Sequence, residues 1–208
     1  MCQKWQQLAW ATPELWTSLD IGSFNRDRAQ FVRERLDRSG SLPLDIKLFN
    51  DGDCEDPKHH EEVINILNKH SARWHNIHLD LWAGHLRCLS SSSYENILRR
   101  LALCLAYSTG RPSKISTFSK PSPTDLTLRR VGLPDVDIVW NNLTTALVDD
   151  IGVDECFELI HRAPLLGTLK LHAINSSSDI FPIPSARIVH PHLHSLALWE
   201  SKLWSLES

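Results

Sequence analysis

The chain has 208 residues, of which 42% are hydrophobic and 23% are charged, and these values exclude wholesale disorder. Its 22 Lys and Arg residues against 25 Asp and Glu residues give a formal net charge of -3, whereas a dedicated nucleic-acid-binding domain is usually basic. No apolar run approaches the roughly 20 residues of a membrane span, and the opening does not resemble a secretory signal. We therefore expect a cytoplasmic or nuclear protein that binds neither nucleic acid nor a membrane.

The cysteines are odd in number and spread along the chain without any Cys-x-x-Cys pair. This arrangement is not typical of a disulfide framework or of a zinc motif. We interpret them as reduced thiols, most of them small core residues. The five are Cys2, Cys54, Cys88, Cys104 and Cys156.

The pattern apolar-x-x-Leu-x-Leu, complete or reduced to its inner pair, recurs eight times along the chain. Its first positions lie at residues 16, 41, 74, 98, 123, 143, 166 and 193, with spacings of 25, 33, 24, 25, 20, 23 and 27 residues. The pattern is cleanest at Leu166, Leu169 and Leu171. All spacings but one fall within the roughly 20–29-residue period of leucine-rich repeats.

Alternate side chains of a β-strand point to opposite faces, so the inner pair of each repeat points to one side. A single strand cannot bury that side, whereas stacked neighbours bury it as a continuous column. The sequence therefore predicts an α/β fold, an irregular leucine-rich-repeat solenoid with a parallel sheet on the concave side. We expect strands that begin near residues 19, 44, 77, 101, 126, 146, 169 and 196 and lie in chain order. An unrelated α/β protein with buried parallel strands is the alternative.

Three of the return segments are predicted to be helical, because their apolar residues recur at helical spacing. They span residues 26–38, 58–70 and 153–162. Ser39-Gly40 after the first and Pro164 after the third are typical of helix ends. Residues 90–93 and 108–123 are rich in Ser, Pro, Gly and Lys, and we interpret them as loops or loose returns.

Several segments, taken together, resemble fungal F-box proteins with leucine-rich repeats. The opening resembles the end of an F-box, where a Val-Cys-Arg-x-Trp segment leads through Leu-Ala and a Thr-Pro turn to Leu-Trp. The matching residues are Cys2, Trp5, Leu8-Ala9, Thr12-Pro13 and Leu15-Trp16. Further segments similar to the family are Arg35-Leu36-x-Arg38-Ser39-Gly40-Ser41-x-Pro43-Leu44, Ala72-Arg73-Trp74 and Gly132-Leu133-Pro134-x-Val136.

The resemblance implies a substrate-recruiting subunit of a cullin-type ubiquitin ligase, in which the repeats bind the target and the F-box binds a Skp-type adaptor. It assigns residues 1–18 to the C-terminal part of an F-box and residues 19–208 to the solenoid. The Leu-Pro helix start of the F-box, which carries most of the adaptor-binding surface, is not among these residues. We therefore expect these residues to bind the adaptor weakly. A gene fragment without function is a further alternative.

Two groups of residues have donor atoms suited to a metal but lack the required pattern. Residues 51, 53, 55 and 62 are acidic at positions 1, 3, 5 and 12 of a calcium loop, but Asp56 stands where that loop requires glycine. We interpret this segment as a solvated acidic insertion. His190, His192 and His194 lie at the start of the last predicted strand, and we favour a structural or polar role over a zinc or nickel site. We expect no bound metal.

The sequence contains no phosphate-binding loop of the GxGxxG or GxxxxGK type and no GxSxG nucleophile motif. We therefore expect no cofactor and no catalytic residues. One alternative stays open, because five cysteines and eleven histidines allow a Cys-His pair to meet in the folded chain. That alternative is an enzyme with a spatially assembled site.

Tryptophan is the remaining candidate for partner contacts, because it is enriched in interface hot spots. Trp16 and Trp74 open repeats and are predicted to be buried. Two other tryptophans lie in the F-box-like opening, without the rest of that motif to cover them, and three more, Trp82, Trp199 and Trp204, follow strands. The sequence thus predicts a protein-recognition module whose target it does not name. The predicted partner-binding residues are Trp5, Trp10, Trp82 and Trp199.

Overall fold

The structure is a computed structural model, and it describes residues 2–22, 28–49, 57–86, 88–89, 97–105, 120–176, 180–185 and 187–199. Eight strands and five α-helices are found among these residues. The strands are β1 (Ser18–Ile21), β2 (Leu44–Phe49), β3 (Trp74–Leu81), β4 (Arg100–Leu105), β5 (Asp125–Arg129), β6 (Thr145–Gly152), β7 (Thr168–Asn175) and β8 (Ser195–Trp199). The helices are α1 (Gln3–Trp10), α2 (Arg28–Arg38), α3 (Pro57–Asn68), α4 (Ala83–Leu86) and α5 (Val153–Arg162).

The eight strands form one parallel sheet in the order β1 to β8. The fold is therefore α/β, and the predicted strand order and direction are confirmed. In seven repeats the register is also the predicted one, because their second apolar positions are paired across the sheet. The register is shifted by two residues at β2, where Ile46, the third apolar position of its repeat, takes the place predicted for Leu44. This row consists of Leu19, Ile46, Ile77, Leu101, Leu126, Ala146, Leu169 and Leu196.

The core is formed by this row and by a second row two residues further along each strand. Both rows are buried from β1 to β7, and they join one continuous apolar cluster with residues of the helices. Burial weakens at β8, where Leu196 and Leu198 are 54% and 59% exposed although they continue the two rows. The prediction that all inner pairs are buried is therefore wrong for β8. The other edge strand, β1, keeps its inner pair buried because α2 packs against it, whereas no helix is described after β8.

Each predicted helix is present with nearly the predicted bounds. Helix α2 ends at Arg38 and is followed by Gly40 at φ 57°, a left-handed conformation that glycine adopts at low cost. Helix α5 spans residues 153–162 as predicted. Among the described residues, no helix has both the length and the apolar content needed to cross a membrane.

Arg73 links two neighbouring return segments on the core side of the sheet. Its guanidinium donates to the carbonyl oxygen of Leu42 (2.8 Å) and to Oγ of Ser39 (2.5 Å). Ser39 is fully buried and donates in turn to the carbonyl oxygen of Leu36. Two segments that carry the family resemblance are therefore in direct contact, although they lie about 30 residues apart in sequence.

The first turn of α5 links the units on both of its sides. Asp154 is fully buried and accepts the backbone N–H groups of Ile180 and Phe181, at 3.1 and 3.0 Å. Glu155 accepts the N–H groups of Gly152 and Leu133, at 3.1 and 3.0 Å. Acidic residues are favoured at this position because the free N–H groups of a helix start carry partial positive charge. Asp154 and Glu155 thus hold α5 to the segment at Leu133, before it in the chain, and to the segment at Ile180 and Phe181, after it.

Candidate interaction surface

The side of the sheet opposite the core is formed by the residues that alternate with the two buried rows. We call it the outer face. Its side chains are exposed or half-buried for the most part and carry both signs of charge. Register pairing arranges them in three rows across the strands. The first is Ser18, Asp45, Asn76, Arg100, Asp125, Thr145, Thr168 and Ser195; the second is Asp20, Lys47, His78, Ala102, Thr127, Leu147, Lys170 and Ala197; the third is Phe49, Asp80, Cys104, Arg129, Asp149, His172 and Trp199.

Polar contacts join the outer-face side chains of β2 and β3. Asn76 donates to Asp45 at 2.6 Å, and Nδ1 of His75 lies 3.5 Å from the same carboxylate. The ring of His78 packs edge-on against Phe49, with 5.4 Å between centroids. These contacts fix the side chains of this half of the face before any partner binds.

Among the described residues of the outer face, one cysteine contacts a histidine. The Sγ atom of Cys104 lies 3.9 Å from Nε2 of His78. Burial raises the pKa of the Cys104 thiol, with a further upward contribution from Asp80. Burial lowers the pKa of His78, against a smaller opposing effect of Asp80. Both shifts favour the neutral thiol and neutral imidazole. An activated nucleophile needs the opposite shift at sulfur, so the pair lacks the electrostatics of a cysteine catalyst.

A second buried thiol allows a direct test of the electrostatics in the core. Burial, together with Glu155 and Asp154, raises the pKa of the Cys156 thiol to about 12 from its ordinary value of 9.0. Because only the thiolate reacts, and its fraction falls about tenfold for each unit of pKa, we expect alkylation of Cys156 to be at least about 100-fold slower than that of the exposed Cys2.

The measurement is iodoacetamide labelling of the native chain at pH 8, followed over time by peptide mass spectrometry. The control is the same reaction in concentrated urea, where both thiols are solvated and should react at similar rates. Equal rates in the native chain would show that Cys156 is not held in the buried position described.

The outer face of β5 to β8 also carries both signs of charge and ends in aromatic rings. Arg129, Arg130 and Lys170 are exposed, as is Asp150, while Asp149 is half-buried. At the last two strands the ring of His172 lies 4.6 Å from that of Trp199, which is 44% exposed. This half therefore presents cations, anions and an aromatic pair side by side.

The four tryptophans predicted to bind partners are all exposed, but the structure does not bring them together. Trp5 and Trp10 are 67% and 51% exposed on α1, which contacts the 3₁₀ turn before β1. Trp199 lies on β8, at the opposite edge of the sheet. Trp82 follows β3, and its ring is stacked 6.3 Å from that of His85. Their role in binding stays a prediction.

The two tryptophans predicted to be buried differ in environment. Trp74 is buried, as expected, with 7% of its surface exposed. Trp16 is only half-buried, because arginine side chains rather than core residues cover its ring. The guanidinium of Arg38 lies 4.6 Å from the ring centroid and that of Arg35 lies 5.7 Å away. The indole N–H donates to the carbonyl oxygen of Ala9, which ties α1 to the first strand.

A cavity of about 410 Å³ lies away from the outer face, beside α5. Its lining includes Leu133, Trp140 and Phe181. The charged residues at its edge are paired within the protein, Lys120 with Asp137 at 2.9 Å and Arg162 with Glu158 at 2.5 Å. The cavity therefore presents no unpaired charge that would select an ionic ligand, and it is a weaker candidate than the outer face.

The histidines near the last strand have a structural environment. Nε2 of His190 lies 3.0 Å from the carbonyl oxygen of Ala163, and Nδ1 accepts the N–H of Leu193 at 3.1 Å. Both ring nitrogens are thus engaged by backbone, which supports the structural interpretation of His190. Within the described ranges, no three His, Cys, Asp or Glu side chains are grouped to hold a metal ion. The acidic residues 51–56 of the calcium-like loop lie outside the described residues.

Sequence reasoning missed the charged outer face of β5 to β8, because single Arg and Asp residues between leucines are indistinguishable from ordinary surface residues. The sequence did contain one indication of this face. Side chains of a strand alternate between its two faces, so every residue between the inner leucines is assigned to the outer face. No family model, curated protein or solved structure matches this chain. Any function assigned to the outer face therefore rests on its own side chains.

Proposed function

We propose that this chain is an irregular leucine-rich-repeat solenoid that recognises a protein partner through the outer face, which would be the concave side. The observation that carries the proposal is the eight-stranded parallel sheet in chain order, with one side buried in the core from β1 to β7 and the other presenting mixed charges and aromatic rings. In repeat architectures each unit contacts mainly its sequence neighbours, and the extended exposed face serves for binding.

We further propose that the chain acts as, or derives from, the substrate-recruiting F-box subunit of a cullin-type ubiquitin ligase in the cytoplasm or nucleus. The motif residues quoted above support this, as do the free thiols Cys2, Cys88, Cys104 and Cys156, which suit a reducing compartment. The mechanism would be proximity. An adaptor holds one end, the outer face holds the target, and effective concentration replaces catalysis by this chain.

A comparison of three forms of the full chain tests recognition by the outer face. Lys170 is exposed on the outer face, whereas Lys69 is exposed just after α3, on the core side of the sheet. Tagged wild type, Lys170→Glu and Lys69→Glu are used to capture proteins from a eukaryotic cell extract, quantified by mass spectrometry. We expect at least one protein to be lost with Lys170→Glu and retained with Lys69→Glu. Identical captured proteins for all three forms would contradict recognition through this face.

The adaptor is expected to bind these 208 residues weakly, with a dissociation constant above about 1 μM, because specific interfaces usually need more than about 1,000 Å². Helix α1 is the main described part of the F-box-like segment, has eight residues and buries none of them. Calorimetric titration with a purified Skp-type adaptor measures the affinity, and Trp5→Ala is the matched control for binding through α1. Submicromolar binding by the unmodified chain would contradict this expectation.

A further inference from the structure

The strands β5, β6 and β7 share one backbone irregularity at the same register position. Arg130, Asp150 and Ala173 have φ angles of 58°, 67° and 48°, and each directly follows a member of the third outer row. Side-chain-bearing residues adopt this left-handed conformation at a free-energy cost. Its repetition on three neighbouring strands is therefore a property of this part of the sheet.

The irregularity doubles the outward-facing residues at the ends of these strands. The buried residues Leu128, on β5, and Val131, just after it, are separated by two residues instead of one, and on β6 the same holds for Val148 and Ile151. As a result, Arg129 and Arg130 both face outward beside Asp149 and Asp150. No register shift accompanies the extra residue between β6 and β7, because both strands carry the same irregularity.

Arg129 and the two aspartates do not form ion pairs with each other. Arg129 and Asp149 are register partners on adjacent strands, yet no ion pair within 4.0 Å joins them. Asp150 accepts a hydrogen bond from the amide of Asn175 and also makes no ion pair. On β7 and β8 the same row continues with His172 and Trp199. Across the four strands this part of the face therefore presents the cation Arg129, the anions Asp149 and Asp150 and the aromatic pair, and we call these five residues the charged rim.

We propose that the charged rim binds an extended segment of a partner protein that crosses the strands with an acidic, a basic and an aromatic side chain in alternate positions. The proposal rests on the proposed recognition function and names the chemistry of its ligand. Adjacent strands lie about 4.8 Å apart, so the distance from β5 to the midpoint between β7 and β8 is about 12 Å. Four residues of an extended chain span about 13 Å. The spacing thus matches acid-x-base-x-aromatic.

Each charge of the bound segment would face a rim residue of opposite charge. A carboxylate on the first residue would pair with the guanidinium of Arg129, and an ammonium on the third would pair with the carboxylate of Asp149. The aromatic ring on the fifth would pack against His172 and Trp199. A segment with acid and base exchanged would place like charges together at both positions, which weakens binding.

The test uses labelled synthetic peptides and the full chain, measured by fluorescence anisotropy. Three peptides serve as probes. The first is Glu-Ser-Lys-Ser-Phe, and the second is its reversed sequence, because either chain direction satisfies the rim. The third, Lys-Ser-Glu-Ser-Phe, has the same composition with the acidic and basic residues exchanged. We expect one of the first two to bind the wild type at least about tenfold more tightly than the third. In the double variant Arg129→Glu with Asp149→Lys, whose positions have ordinary φ angles, the preference should be lost, because Arg130 and Asp150 keep charges of the original sign beside the exchanged residues.

Lys47→Glu on β2 is the matched control on the same face and should leave the preference unchanged. If the double variant does not fold, Arg129→Ala alone should reduce the preference to less than about threefold. Equal affinities of the wild type for the peptides, a preference that persists in the double variant, or no saturable binding up to about 1 mM would overturn the proposal. Should that happen while capture of a protein still depends on Lys170, the rim assignment fails and the proposed function stands. Loss of that dependence as well would reject both.

Discussion

Leu169→Ala is expected to lower the free energy of unfolding by about 2–5 kcal/mol. Leu169 is the seventh of the eight residues in the inner row, lies on β7, is fully buried, and is flanked in register by Ala146 and Leu196. Truncation removes buried apolar surface and leaves a cavity that the neighbouring strands cannot fill without moving. The free energy is measured by urea denaturation, provided that the chain unfolds in a single cooperative transition, because repeat arrays can unfold in parts.

The adjacent residue provides a matched control. Lys170 is exposed on the outer face, so Lys170→Ala is expected to change the free energy of unfolding by no more than about 0.5 kcal/mol. Similar losses for the two variants would contradict the assignment of inner and outer faces. That result would also remove the basis for placing recognition on the outer face.

The strand positions could be predicted because the sequence repeats one physical constraint eight times. Each strand needs two apolar residues at a spacing of two, and the parallel register then aligns them into rows. Ala146 shows how robust this is, because its small side chain occupies the same row as leucines and is fully buried. The helix bounds were predictable for a similar reason, since Gly40 supplies the left-handed residue at the end of α2.

The irregular features could not be predicted from the sequence. Arg130 and Ala173 give no hint of a left-handed conformation, which is usually associated with glycine or asparagine. The exposure of Leu196 and Leu198 depends on what flanks β8, and their pattern is the same as that of buried repeats. The same holds for the candidate site. Trp199 was identified by residue type, but its place beside His172 and the charged rim follows only from the register of the sheet.

The contacts between units were also missed, because they join residues that are distant in sequence. Arg73 bonds to Ser39 and Leu42, and Glu155 bonds to Leu133, across separations of 34, 31 and 22 residues. A polar residue in a return segment looks like a surface residue until a backbone group of the neighbouring unit is placed against it. These contacts matter for stability, since stacked units are held together by their interfaces.

Glu155→Ala is therefore expected to lower the free energy of unfolding by about 2–4 kcal/mol, because it leaves the buried N–H groups of Gly152 and Leu133 without their acceptor. Glu158→Ala is the control on the same helix. Glu158 pairs with Arg162 at the i,i+4 spacing near the surface, where such pairs contribute about 0.3–0.5 kcal/mol.

Hydrogen exchange separates a local from a general effect of Glu155→Ala. If Glu155 joins two units, the amide of Leu133 should lose protection by a larger factor than amides of β1 and β2, which lie far from α5 in the sheet. Uniform loss of protection would mean that the variant only lowers global stability. Unchanged stability would show that water replaces the carboxylate without cost, and the linkage between the two units would then rest on apolar stacking alone.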